Sequence, residues 1–294
     1  MMEIHVPAIP QIRIRKSLKR RWVRRLALLS VVLSVLALVG YGIAVVVMLG
    51  IEPSLVYMPT KSGQEWSEKP SAEIQDVTLT TPDGQMNAWY LPAEKPDIAL
   101  MICHGTGGNL SIRGQGLPEY RSRFHASVLV FDYPGYGKSD GEPTEAGCYN
   151  VANAAYDFLV SKKGFKPENV VIYGESLGGG VAVDLAARHE HRALVLVKTF
   201  ASIPDMARER WSTWSSSPLV RNRFDSVAKI KNCKAPIFVA HGDRDRVIPL
   251  AEAKKLYEAA PTPKKFFLLQ GSDHNDPLPP AFYDALAAFV RNSD

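Results

Sequence analysis

Six short apolar runs, "IALMICHG", "SVLVFDYPG", "VVIYGES", "ALVLVKTF", "PIFVAHGD" and "KFFLLQGSD", follow one another through residues 98–273. Each is nearly continuous rather than alternating, as a strand must be when both of its faces are covered. Helical periodicity fills most of the gaps, at 119–124, 146–160, 179–188 and 250–260, and a last helix is predicted at 281–290. Ahead of them "AEIQDVTLT" alternates, "TPDGQ" is turn chemistry and "MNAWYL" completes an antiparallel hairpin. Two antiparallel strands leading into six that alternate with helices predict one α/β domain. Its sheet has eight strands, mostly parallel, with helices on both faces. The interval 201–235 is too long for one connecting helix and too short for a domain, so it is expected to form a small helical cap over the strand ends.

The N-terminal region follows different rules. Residues 1–25 hold eight Lys or Arg and one acid, Glu3, whereas residues 26–50, "LALLSVVLSVLALVGYGIAVVVMLG", hold no charge. The remainder carries 27 basic and 29 acidic residues, so the net charge of +5 belongs to the basic arm. A near-neutral domain lacks the basic surface that nucleic acid requires. The uncharged run would make a helix of roughly 37 Å, against a hydrocarbon core of about 30 Å. It is longer than the apolar core of a cleaved signal peptide and is followed by no A-x-A site. The expected organisation is therefore a cytoplasmic basic arm at 1–25, one transmembrane helix at 26–50, a polar connector at 51–72 and an enzyme-like domain at 73–294. Only Lys61 and Lys69 follow the span closely, so the positive-inside rule sends the domain to the non-cytoplasmic side, periplasmic, extracellular or lumenal. Three cysteines, Cys103, Cys148 and Cys233, make no disulfide framework.

In doubly wound sheets, ligands bind beyond the carboxyl ends of the strands. Four runs end in polar constellations there: "HGTGGN" after the first, "GESLG" after the third, "HGDRDRVIP" after the fifth and "GSDHN" after the last. Gly174-Glu175-Ser176-Leu177-Gly178 between strand and helix has the form of a nucleophile elbow, which holds Ser176 exposed on a tight corner. It fits neither dinucleotide nor phosphate-loop spacing. A serine hydroxyl needs a base, and in this kind of sheet the order is Ser, then Asp or Glu, then His. Of the seven histidines only His274 lies beyond both Ser176 and the acidic loop, which makes it the base. Asp243 and Asp245 both remain candidates for the acid. Acyl transfer also needs two N–H donors for the developing oxyanion; the residue after the nucleophile, Leu177, supplies one, and Thr106 is the best candidate for the other. His104 is expected to hold that loop rather than exchange protons.

These motifs, with "FDYPGYGKSDGEPTE", "TFASIPDMA" and "RNRFDSVAKIKN", resemble the α/β-hydrolase superfamily and, within it, the BEM46-like membrane-anchored serine hydrolases. The resemblance covers about residues 52–292. It implies that Asp245 is the acid, in the family's H-G-x-x-D-x-x-V-P loop, here with Ile248 interposed before Pro249. It also implies that 132–139 is a structural turn after the fourth strand and that a single N-terminal span is retained. Asp243 is then expected to brace the loop beside Arg244 or Arg246.

The resulting expectation is a membrane-anchored serine hydrolase cleaving an ester or thioester bond through an acyl-enzyme, with Ser176, Asp245 and His274 as the triad and Thr106 and Leu177 as the oxyanion hole. No metal or organic cofactor is implied. The expected substrate is a small-molecule or lipid-like acyl compound, with Trp211 and Trp214 of the cap lining its apolar part. A serine peptidase or aminopeptidase on the same fold, and a catalytically silent membrane-tethered scaffold, are the alternatives. The sequence carries no signal for an oligomeric state.

Overall fold

The computed structural model describes residues 11–210 and 220–292. Trp211 and Trp214 lie outside the described residues. The chain divides into two compact units, Met1–Ile51 and Glu52–Asp294. Helix α1 (Gln11–Val56) begins in the first, ends in the second and runs beyond the expected 26–50 at both ends. It is long and apolar enough to cross a membrane, and its side chains Leu28, Leu38 and Val46 are exposed.

The second unit is built on one eight-stranded sheet. Its strands are β1 (Gln75–Thr81), β2 (Gly84–Leu91), β3 (Ile98–Cys103), β4 (Ala126–Phe131), β5 (Val170–Glu175), β6 (Ala193–Val197), β7 (Ile237–Gly242) and β8 (Lys264–Leu269). They lie in the order β1-β2-β4-β3-β5-β6-β7-β8. The hairpin β1–β2 and the β2–β4 pair are antiparallel, and every later pair is parallel. This is the expected α/β-hydrolase architecture.

Period two explains why the central runs look continuous. Met101, Leu129, Ile172 and Leu194 share one apolar cluster, while Leu100, Val128, Val171 and Val195 share another across the sheet. The first cluster is covered by helices α2 (Glu145–Asp157), α3 (Leu177–Ala186) and α4 (Leu250–Ala259), and the second by α5 (Leu117–Phe124) and α6 (Pro280–Arg291), through side chains such as Val151, Val181, Leu256, Leu117 and Leu286. Each such side chain contributes roughly 1.5–3 kcal/mol on burial, so both faces must be apolar and alternation disappears.

Residues 51–72 do not behave as a free connector. Residues 52–56 are helical, Met58 and Pro59 pair in parallel with Gly107 and Gly108, Lys61 bridges to Gly137, and Trp66 packs edge-on against buried Trp89. The stretch is held partly through its backbone, which any sequence offers, and partly through side chains such as Trp66. Within 201–235, the described residues form a helix, Ile203–Arg210, and a short turn, Ser226–Lys229, capped by Asp225.

Candidate active site

The site is assembled where four chain segments leave the carboxyl ends of β3, β5, β7 and β8. The first departure is the elbow. Ser176 sits at φ 53°, ψ −121°, directly before α3. A non-glycine residue there stores about 1–3 kcal/mol of strain and persists only when its surroundings fix it. Three hydrogen bonds do so: the Ser176 amide donates to Val197 O (3.0 Å), and its carbonyl accepts from the Thr199 hydroxyl (2.7 Å) and the Gly179 amide (3.0 Å). Glycine is required two residues on, because a Cβ at Gly178 would stand 2.6 Å from the His104 carbonyl oxygen.

The loop after β7 brings in Asp245, whose side chain is fully buried. One carboxylate oxygen accepts from the amides of Val247 (2.9 Å) and Ile248 (2.8 Å). The other lies 2.7 Å from His274 Nδ1 and 3.4 Å from His241 Nε2. Burial pushes the Asp245 carboxyl upward, but the His274 hydrogen bond, the Ile248 amide and the two imidazoles outweigh it, and the group is held below its ordinary value. His241 is itself buried, with Nε2 donating to Ile248 O at 2.8 Å, and burial lowers its pKa, so it serves the loop as a neutral ring.

The loop after β8 presents His274, its amide bonded to Asp273 Oδ1 at 2.8 Å. Its Nε2 lies 3.2 Å from Ser176 Oγ. Since Asp245 can only accept from Nδ1–H, Nε2 is left with a lone pair facing the serine hydroxyl. Serine, imidazole and carboxylate therefore stand in one relay, although they are 98 and 29 residues apart in sequence.

Asp243 takes no part in that relay. It accepts from the Gly271 amide at 2.6 Å, bracing the turn before His274, while Arg246 goes to Asp273 (Nε to Oδ2, 2.6 Å). The bracing expected of Asp243 is thus a backbone contact between the loops after β7 and β8. Glu175, partly exposed beside Ser176, has Arg113 at 4.0 Å.

The loop after β3 passes against the elbow: a Cβ added to Gly105 would be 3.2 Å from Ser176 Cβ. Thr106 follows directly, and Leu177 is the first residue of α3, where the N–H has no partner within the helix. The loop is held from beneath by Tyr133 OH on His104 O (2.7 Å), Tyr136 OH on Thr106 O (2.9 Å) and Arg113 on Gly107 O (3.0 and 2.9 Å). His104 is buried, with Nδ1 on Gly105 O and Nε2 3.5 Å from Asp132, a carboxyl whose pKa is raised by burial. Its place is structural, as its sequence position suggested. On the sheet face covered by α5 and α6, a cavity of about 430 Å³ is lined by residues including Glu175, Lys198, Asp276 and Tyr283.

A profile of the alpha/beta hydrolase fold matches residues 98–218. An uncharacterised protein of Mycobacterium tuberculosis is 30% identical over 249 residues, covering 84% of this chain and 88% of that one. Alpha/beta hydrolase domain-containing protein 17B of Xenopus tropicalis is 31% identical over 228 residues, 75% of this chain and 76% of that one. The chain belongs to the α/β-hydrolase family. Among solved structures, the Pyrococcus furiosus esterase Pf2001 superposes with a TM-score of 0.65 over 80% of this α/β hydrolase and 98% of the esterase, at 20% identity, a likeness of fold.

Two residues beside the site were given no role by the sequence, although Thr199 opens the motif "TFASIPDMA". Thr199 anchors the Ser176 carbonyl and Lys198 Nζ donates to Asp276 O at 2.7 Å, two residues beyond His274. Both lie just past β6, the one long run whose end carried no glycine or histidine. The available signal was positional: four of the other strand ends on that side of the sheet carry polar constellations.

Proposed function

We propose that the protein is a membrane-anchored serine hydrolase that cleaves an ester or thioester bond. The observation that carries this reading is the continuous relay from Ser176 Oγ through the His274 ring (3.2 Å and 2.7 Å) to buried Asp245. In the first half-reaction Ser176 Oγ attacks the acyl carbonyl carbon while His274 Nε2 takes the hydroxyl proton. Asp245 fixes the tautomer and stabilises the imidazolium. The amides of Thr106 and Leu177 receive the oxyanion, each worth about 2.7–4 kcal/mol of barrier. As the tetrahedral intermediate collapses, the bond to the leaving oxygen or sulfur breaks and His274 returns the proton to it. Water, deprotonated by the same imidazole, then releases the acid and restores Ser176.

The anchor is the apolar run at 26–50, preceded by the basic arm at 1–25. An exposed apolar helix of this length is stable in lipid and costly in water. The arm's charge favours a cytoplasmic N-terminus and a domain on the opposite side. The decisive experiment is labelling of the full-length protein by a fluorophosphonate probe. Wild type is expected to label and Ser176→Ala to be silent; equal labelling of both, or of neither, removes the reading. Orientation is tested with a reporter fused after Asp294, where activity confined to the cytoplasm would reverse the assignment.

A further inference from the structure

The loop expected to hold one oxyanion donor, 104–109, contains three glycines, Gly105, Gly107 and Gly108, and has little rigidity of its own. Its carbonyls are fixed from inside the domain by Tyr133, Tyr136 and Arg113. Its outer edge is fixed by residues 52–60, the first residues after the uncharged run. The Thr106 hydroxyl donates to Val56 O (3.3 Å), Met58 and Pro59 pair with Gly107 and Gly108, and the Thr60 amide donates to Gly108 O (3.2 Å). Asn109, which caps the following turn, donates through Nδ2 to Thr60 O (3.1 Å).

The same residues are fastened on their other side. Glu52, a carboxylate only 9% exposed, accepts through Oε1 from the amides of Arg221 and Asn222, both at 2.8 Å. Tyr57 OH donates to Asn222 Oδ1 (2.8 Å), an oxygen that also accepts from the Glu145 amide (3.1 Å). The Tyr57 ring is buried edge-on to Phe224, and Phe224 fills the space above Gly180 in α3, where a Cβ would meet its ring at 2.9 Å. Residues 52–60 therefore bridge the loop bearing Thr106 and the helix that begins at Leu177, which carry the two proposed oxyanion donors.

We infer that residues 52–60 are a positioning element of the active site, in which Glu52 and Tyr57 set the separation of the Thr106 and Leu177 amides, so that the stretch joining the domain to its anchor also tunes acyl transfer. This rests on the serine-hydrolase reading above. The groups concerned bond to backbone, to Asn222 and to the Arg221 guanidinium (Nε to Glu52 Oε2, 3.4 Å) rather than to any reacting atom, so they act through the loop and not on the substrate.

The test uses full-length protein in detergent, with p-nitrophenyl butyrate turnover, fluorophosphonate labelling rate and thermal midpoint measured together. Because misplacing a catalytic group by about 1 Å can cost 10²-fold, Glu52→Ala is expected to lose about tenfold or more in kcat with KM within about twofold, and to label proportionately more slowly. Glu52→Gln keeps an oxygen for the two amides and is expected to recover to within about threefold of wild type. Tyr57→Phe keeps the ring and loses only the hydroxyl, and is expected to lower kcat severalfold with little change in midpoint. Wild-type kcat in both Glu52→Ala and Tyr57→Phe overturns the inference, as does a rise in KM alone or a loss in Glu52→Gln equal to that in Glu52→Ala. If Glu52→Ala does not fold, Tyr57→Phe decides by the same criteria. A wild-type protein that neither labels nor turns over removes the serine-hydrolase reading itself, an outcome distinct from active, unaffected variants.

Discussion

Gly178→Ala adds one methyl group at the point where α3 passes closest to the end of β3. The new Cβ would stand 2.5 Å from the carbonyl carbon of Cys103 and 2.6 Å from the carbonyl oxygen of His104, and nearer still to the Cys103 oxygen. All three neighbours are backbone, so no side-chain rotation relieves the overlap. Restoring a tolerable 3.0 Å requires the helix start and the strand end to separate by about 0.5–1 Å, and overpacking of this kind costs about 1–3 kcal/mol of stability. The movement falls between His104, which leads into the loop with Thr106, and Leu177, so it pries apart the two proposed oxyanion donors. A displacement of about 1 Å corresponds to roughly 10²-fold in kcat, or about 2.7 kcal/mol of barrier. Turnover and melting of the purified variant test this, with Gly164→Ala as the control. Gly164 has φ +77° and nothing within 4 Å of a new Cβ, so its substitution carries only backbone strain. It is expected to cost about 1–2 kcal/mol of stability and no activity. For a domain of this size each kcal/mol lowers the midpoint by about 2–4 °C. A Gly178→Ala enzyme with wild-type kcat and midpoint, or a Gly164→Ala enzyme equally impaired in kcat, would refute the reasoning.

Asp245→Asn should lower kcat by about 10⁴-fold, because an amide at this position can hold the imidazole in the wrong tautomer. It also tests a stability linkage. The Asp245 carboxyl titrates below its unfolded value, so its contribution is complete above about pH 4 and disappears as pH falls through the lower folded value. The difference in midpoint between wild type and Asp245→Asn is therefore expected at pH 7 and should close on acidification; a gap that widens in acid contradicts the assignment. Thr199→Val removes the hydroxyl that donates to Ser176 O at 2.7 Å while keeping the side chain's shape. A loss of about 1 kcal/mol in urea denaturation is expected, and unchanged stability would mean that the elbow does not depend on this bond.

The candidate triad and the fold were legible in the sequence for reasons that are local. Apolar runs had to be strands covered on both faces, glycines had to mark the elbow, and chain order left His274 as the base. The residues that were missed hold others through backbone contacts, as Thr199 holds Ser176 and Glu52 holds Arg221 and Asn222. The hydroxyl and carboxylate are specific, but their partners are backbone groups that every residue type offers, so nothing in the sequence marks where these side chains bind. That Asp243 braces its loop was expected, but its partner was not legible. Asp243 accepts from the Gly271 amide and Arg246 pairs with Asp273, both across to the loop after β8.

The sequence by itself determined the strand pattern, the separation of a charged arm and an apolar run from a near-neutral domain, and the candidates for a nucleophilic serine and its histidine. Only the tertiary structure decided how far Nε2 stands from the hydroxyl, which oxygen of Asp245 faces the ring, and that residues 52–60 brace the loop bearing Thr106. Periodicity and turn chemistry are properties of neighbouring residues and can be read along the chain. The meeting of segments about a hundred residues apart is set by how the sheet stacks its strands, and no single stretch encodes that order.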